Sequence, residues 1–333
     1  MKKGLVSLVA GLAIASSLNG ADLRGSGASF PYAVYQQWTK AYYKATGVKV
    51  DYISKGSSKG IKDIKARQTD FGGSDKPLSP KALKKAKLYQ FPSVVGAITM
   101  GYNIPGIKSL KLSRSAIAAI ALGKVKYWDD KVIASSNPSI SLPHKKVTFV
   151  HRADGSGTTF NFTYFLSKIS KEWKHKYKAK KAINWPGNQH IGGNKNSGVA
   201  SLIKQTQYSV GYIDYADAKN NGIAMAEVEN KAGKFVEPNL STFQAAAAKA
   251  NLNPKKDFYA AIADPKGENA YPIVAATFVL LPKEKTKTNK EVTKFFNWCY
   301  DNGKTIASNL GYVPLPDTLV SKIRTYWADK GIK

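Results

Sequence analysis

Two long β-prone runs, far apart in the chain, constrain the fold more than any other feature. Residues 91–102 (FPSVVGAITMGY) and 271–281 (YPIVAATFVLL) are each apolar enough to lie in the middle of a sheet. Around them, strand-like and helix-like pieces alternate. Residues 47–53 alternate as a strand, and residues 57–64 read as a helix start with hydroxyl caps. Residues 70–75 read as a short strand ending in a glycine-rich loop, and residues 214–219 and 240–249 as helices. The alternation argues an α/β class. The chain has 333 residues, which suits two domains better than one, yet no Gly/Ser or Pro linker separates two halves. Any junction between domains must therefore be made of ordered strands.

Charge narrows the function classes. Lys plus Arg total 51 against 22 Asp plus Glu, a net charge of +29, which first suggests nucleic acid or an anionic surface. Arginine reads base edges and stacks on bases, whereas lysine is a hydrated point charge. The only arginines are Arg24, Arg67, Arg114, Arg152 and Arg324. The surplus is thus a solvated lysine coat, with no specific nucleic-acid readout expected. The basic run at residues 168–181 reads as a solvated helix face and loop.

Lys2 and Lys3 precede an apolar run over residues 5–15, followed by small and polar residues to Ala21. That order is the one found in secretory signal peptides, so residues 1–21 are expected to be a signal segment and the rest exported. No cysteine stands near that point to carry a lipid anchor. Cys299 is the sole cysteine, which excludes an intrachain disulfide, and its helical apolar neighbours make it a core thiol. His144, His151, His175 and His190 show no metal-ligand spacing, so neither metal nor cofactor is expected.

Four loops share one chemistry: residues 25–31 (GSGASFP), 56–60 (GSSKG), 72–75 (GGSD) and 152–159 (RADGSGTT). Each joins glycine, which lets backbone N–H groups approach a ligand, to hydroxyl donors. At least three run into helices, whose N-termini bind anions through free N–H groups and the helix dipole. Catalytic patterns fit less well. There is no G-x-x-x-x-G-K-[ST] loop, and Asp154 stands where a G-x-S-x-G nucleophile elbow needs glycine.

These loops, in this order, closely resemble those of the phosphate-binding proteins of high-affinity phosphate ABC transporters, the PstS family. The matching text is Gly-Ser-Gly-Ala-Ser-Phe-Pro at 25–31, Gly-Ser-Ser at 56–58, Asp-Phe-Gly-Gly-Ser-Asp at 70–75 and Arg-Ala-Asp-Gly-Ser-Gly-Thr at 152–158. Tyr127-Trp128-Asp129-Asp130, Gly211-Tyr212-Ile213, Lys266-Gly267-Glu268 and Leu315-Pro316-Asp317 extend the likeness over the whole mature chain. The resemblance implies a two-lobed clamshell, the type II periplasmic-binding-protein fold, with its ligand cleft between α/β lobes. Residues 22–94 plus 272–333 would form lobe I and residues 95–271 lobe II.

It also implies a binding set. Ser29 would donate by hydroxyl and backbone, Phe30 by backbone N–H, and Ser57 by hydroxyl. Arg152, Ser156, Gly157 and Thr158 would donate from the second lobe. Asp154 would orient Arg152, and Asp75 would accept the ligand's own proton. Two positions depart from the family's usual text: Ser29 stands where Thr is usual, and Lys59 where a small residue is common. The implied protein is a periplasmic, monomeric, non-enzymatic carrier of inorganic phosphate that serves an inner-membrane permease. Its rivals are a secreted phosphatase on the same scaffold, with Ser156 or Ser57 as nucleophile, and a cationic polyanion binder.

Overall fold

The computed structural model describes residues 22–333, so the expected signal segment lies outside the described residues. Strands β1 (Leu23–Gly27), β2 (Val50–Ser54), β3 (Phe71–Ser74) and β4 (Leu88–Asn103) come first. Then follow β5 (Lys111–Leu112), β6 (Thr148–Arg152), β7 (His190–Gly193) and β8 (Ser209–Asp214). The last are β9 (Ala224–Met225), β10 (Glu227–Glu229), β11 (Phe235–Val236) and β12 (Val274–Pro282). One sheet runs β2-β1-β3-β12-β4-β8-β6-β7, with β9 beside β4, while β11, β10 and β5 form a small second sheet.

The two β-prone runs become β4 and β12, and they lie side by side as antiparallel partners. Residues 88–97 of β4 pair with β12, and residues 98–103 pair with β8. One strand thus belongs to both halves of the sheet, which explains the missing linker. All nine residues of β12 are buried, as a strand covered on both faces requires.

Parallel strands need crossovers, and helices Tyr32–Thr46 and Ser57–Lys65 connect β1 to β2 and β2 to β3. Apolar packing then fixes each half. In the first, Phe71 and Phe91 each pack edge-to-face with Phe296, as do Phe91 and Trp327 with each other. Cys299, on the Thr286–Asn302 helix, is buried in the same core, where burial pushes its thiol pKa well up. In the second, Phe162 stacks on Tyr212 with ring centroids 4.4 Å apart, beside buried Phe149, Trp173 and Trp185. Truncating one such aromatic to Ala typically costs about 3–5 kcal/mol. No helix among the described residues is long and apolar enough to cross a membrane.

The topology also fixes where a ligand can sit. β1, β2 and β3 run parallel, as do β6, β7 and β8, and in open α/β sheets ligands lie beyond the carboxyl ends of such strands. All four glycine-hydroxyl loops emerge from those ends: after Gly27, Ser54, Ser74 and Arg152.

Candidate anion-binding site

The loops meet where the two sheet halves face each other. Ser57 opens the Ser57–Lys65 helix, but its hydroxyl does not cap it: the N-cap is Gly56, with no side-chain cap bond. Neither serine of that loop plays the capping role that the sequence suggests. Instead Ser57 Oγ accepts the Asp75 N–H at 3.2 Å and lies 3.4 Å from Asp75 Oδ2, to which it donates. Asp75 is only 2% exposed, and its Oδ1 accepts from Thr277 Oγ1 at 2.7 Å. Burial raises its carboxyl to about 7, against the opposing pull of the Thr277 bond, the Arg152 charge and the Ser57 bond.

The Arg152 guanidinium is held in place from the second half. Nε donates to Asp154 Oδ1 at 2.7 Å and Nη2 to Asp154 Oδ2 at 2.6 Å. Nη1 donates to Asn196 Oδ1 at 3.0 Å and to Thr158 Oγ1 at 3.4 Å. Burial pushes Asp154 upward, but the Arg152 bonds and charge, with the Lys195 N–H, outweigh it and hold the carboxyl below its usual value. A bidentate buried pair of this kind fixes the fork rather than the net charge. The β6–β8 ladder ends at Val150, so the Arg152 N–H needs another acceptor and finds Tyr212 Oη at 3.0 Å. The aromatic core thereby holds the arginine backbone.

Ser156 caps the Gly157–Ile169 helix, its Oγ accepting the Thr159 N–H at 3.1 Å. Its own N–H goes to Lys181 O at 2.9 Å, so the Lys168–Lys181 run, read from sequence as merely solvated, reaches the site at its end. Ser156 therefore keeps only its hydroxyl proton to offer. Thr158 Oγ1 and Ser29 Oγ each accept from Asn196, at 3.3 Å from Nδ2 and from N respectively, and each also retains its hydroxyl proton. Phe30 is buried behind Ser29, where its carbonyl accepts from Tyr312 Oη at 2.6 Å. Lys59 is exposed on the first turn of its helix.

The halves touch tightly here. Ser58 N–H donates to Gly155 O at 2.9 Å. A Cβ on Gly157 would lie 2.5 Å from Ser57 Oγ and 2.6 Å from Asp75 Oδ2. Gly56 has φ +85, in the left-handed region, and a Cβ there would lie 2.4 Å from Asp154 Oδ2.

All nine residues expected from sequence therefore lie around one interface: Ser29, Phe30, Ser57, Asp75, Arg152, Asp154, Ser156, Gly157 and Thr158. Sequence reasoning missed Thr277, Asn161 and Asn196. Asn161 Nδ2 donates to Asp75 O at 2.7 Å and to Gly157 O at 2.9 Å, bridging the halves. The signal for Asn196 was present: Gly192-Gly193-Asn194 leads into the Lys195–Gln205 helix much as the four loops do. Thr277 has no local signal. It is expected to tune Asp75. Because its bond lowers the carboxyl, Thr277→Val should move the Asp75 protonation midpoint upward, by about one pH unit if the bond is worth about 1.5 kcal/mol. Carboxyl NMR across a pH titration of the ligand-free protein checks this, and an unmoved midpoint would refute it.

Comparison with known proteins agrees with this geometry. A PBP superfamily domain model matches residues 14–302. The phosphate-binding protein PstS of Xylella fastidiosa is 45% identical, over 92% of this chain and 85% of that protein. Its namesake from Haemophilus influenzae is 44% identical, over 92% of each. Among solved structures, a phosphate-binding protein from Stenotrophomonas maltophilia superposes with a TM-score of 0.71 at 18% identity, over 92% of this chain and 94% of that one, and shows the same fold. With its paired sheet halves, its loops at the carboxyl ends of the strands and these relatives, the chain belongs to the PstS family of phosphate-binding proteins, within the PBP superfamily.

Proposed function

We propose that the chain captures inorganic phosphate between lobe I (residues 22–94 and 272–333) and lobe II (residues 95–271) and delivers it to an inner-membrane ABC permease. One observation carries the reading: a buried carboxyl, Asp75, faces a helix N-terminus, a locked arginine and several hydroxyl donors. Near neutral pH phosphate carries at least one proton and sulfate carries none. Ionised Asp75 pairs with the first and repels the second, so selectivity arises from a penalty against the wrong anion. Arg152 and the hydroxyls of Ser29, Ser156 and Thr158 donate to the remaining oxygens, as does that of Ser57 once its proton turns from Asp75 Oδ2, together with the backbone N–H groups of Phe30, Gly157 and Thr158. Asp154 keeps the Arg152 fork aimed. No covalent chemistry is involved. The protein acts in the periplasm as a monomer after removal of residues 1–21.

Titration calorimetry on the purified mature chain tests this. Well above the Asp75 midpoint of about 7, phosphate should bind tightly and sulfate at least a hundredfold more weakly, a gap of about 2.7 kcal/mol. Absence of phosphate binding would end the proposal.

A further inference from the structure

The loop that carries Asp75 meets the other half at three points. Its backbone is pinned from both sides. Ser74 Oγ donates to the Lys76 carbonyl at 2.8 Å and accepts the Lys76 N–H at 3.2 Å. Buried Pro77 follows, and the residue before a proline is held extended. Opposite this loop lies the start of the Gly157–Ile169 helix. Gly157, Phe160 and Asn161 stand three and four residues apart there, so they share one helix face. Gly157 leaves no room for a Cβ against Asp75, and Asn161 Nδ2 donates to Asp75 O at 2.7 Å. Lys76 Nζ lies over the Phe160 ring, 5.0 Å from its centroid. The Tyr164 ring, one turn further on, lies within 10° of parallel to that of Phe160. Lys76 and Phe160 are both half-buried, and no ion pair among the described residues includes Lys76.

An ammonium group over the face of an aromatic ring is attracted by the ring's electrons, and more strongly once it is partly out of water. Here the cation belongs to the first half and the ring to the second. We propose that Lys76 and Phe160 form a clasp between the halves that sets how long captured phosphate stays bound. The proposal rests on the phosphate-capture reading above. Neither residue belongs to the set that holds the ion. Phosphate leaves only when the halves part, and parting them lifts Lys76 off the ring. The ion is captured before the halves close, so the clasp acts on the dissociation rate and not on the encounter. One peptide bond joins Lys76 to Asp75, so the residue that selects the ion and the residue that retains it sit on the same pinned loop.

The test is a double-mutant cycle on the mature chain, with Lys76→Gln, Phe160→Leu and both together. Each protein is loaded with radiolabelled phosphate and chased with excess unlabelled phosphate, and release is followed by rapid filtration. Each single variant should release phosphate about three- to tenfold faster than the unaltered chain, with association changed less than twofold. The double variant should release no faster than the quicker single one, because either change alone opens the clasp. Lys76→Arg should keep release slow, since a guanidinium also lies well on a ring face. The phosphate-over-sulfate affinity ratio should stay the same in all of them. Thermal melts confirm that the variants fold.

Release rates equal to that of the unaltered chain would overturn the clasp. So would a Lys76→Gln effect that persisted in full without the Phe160 ring, because the lysine would then act on the ion by its charge alone. A changed phosphate-over-sulfate ratio would also overturn it, by making Lys76 or Phe160 part of the binding set. If the unaltered chain bound no phosphate, the capture reading would fall instead. Small-angle scattering of the ligand-free proteins would then decide the clasp: a larger radius of gyration in both single variants supports it, and equal radii overturn it.

Discussion

Asp75→Asn should remove most of the discrimination between phosphate and sulfate. Asn keeps the shape and can still accept from Thr277 Oγ1, now 2.7 Å from the carboxylate. It replaces a charged acceptor with a neutral amide that can also donate. Phosphate loses the partner for its proton, and sulfate loses the repulsion. A mispaired buried charge is worth about 3 kcal/mol or more, so well above the carboxyl midpoint the affinity ratio should fall by about a hundredfold. Calorimetry with both anions reads this directly, and an unchanged ratio would refute the role of Asp75. The unaltered protein should show the same chemistry as a pH effect. Burial puts the carboxyl at about 7, and in the proposed role only its protonated form would tolerate sulfate. Sulfate affinity should therefore fall about tenfold for each pH unit above that midpoint and level off below it.

A stability effect of known sign accompanies the substitution. The unfolded carboxyl loses its proton near 3.8 and the folded one near 7. Between those values the native state binds more protons, so stability falls as pH rises through the window, and the full penalty is present above it. Asn carries no such penalty. Ligand-free Asp75→Asn should thus be more stable than the unaltered chain at pH 8, by about 2–4 kcal/mol, with the gap closing toward acid. Denaturant melts at several pH values measure it.

Gly157→Ala should separate folding from closure. Gly157 is not among the residues with positive φ, and it opens a helix, where alanine is the better helix former. The fold should therefore keep its thermal midpoint. Its Cβ, however, would sit 2.7 Å from Asp75 Cβ as well as against Ser57 Oγ and Asp75 Oδ2. Carbon contacts need about 3.5–4 Å, so the halves must part by roughly 1 Å. Parting them breaks the Ser58 N–H to Gly155 O bond and the Asn196 N–H to Ser29 Oγ bond. At about 1 kcal/mol each, with a poorer fit around the ligand, phosphate affinity should fall about a hundredfold. Retained affinity would show that this contact does not govern closure.

How much was legible in the sequence follows from how far each interaction reaches. The four loops could be read because glycine, hydroxyl and helix start stand within a few residues of one another. Arg152 and Asp154 are two residues apart, so their pairing could be anticipated. The resemblance to a family then supplied the set of nine residues and the clamshell. The partners of Asp75 were out of reach. Thr277 is an unremarkable position inside a buried apolar strand, 202 residues away. Asn161 looks like a helix residue, and its acceptor Asp75 O lies 86 residues away in the chain. The hydroxyls of Ser57 and Ser58 were misread for the opposite reason. Local chemistry favours capping, but a buried carboxyl across the loop competes for Ser57, and glycine takes the cap position. For β4 and β12, apolar composition announced two central strands without saying that they pair.

That pairing has a consequence for how the molecule comes into being. β12 fills the slot between β3 and β4, and the Ser93 hydroxyl bonds the Thr277 carbonyl across 184 residues. During synthesis, β1 to β4 emerge with a gap in their sheet that only the last quarter of the chain can fill. The inserted half can fold first, since β6, β7 and β8 and their helices are contiguous. The first half must wait, at the long loop-closure distances that slow folding. Asp75 receives its Thr277 bond only when β12 docks, so the site matures last, and a chain cut short before residue 274 would lack it.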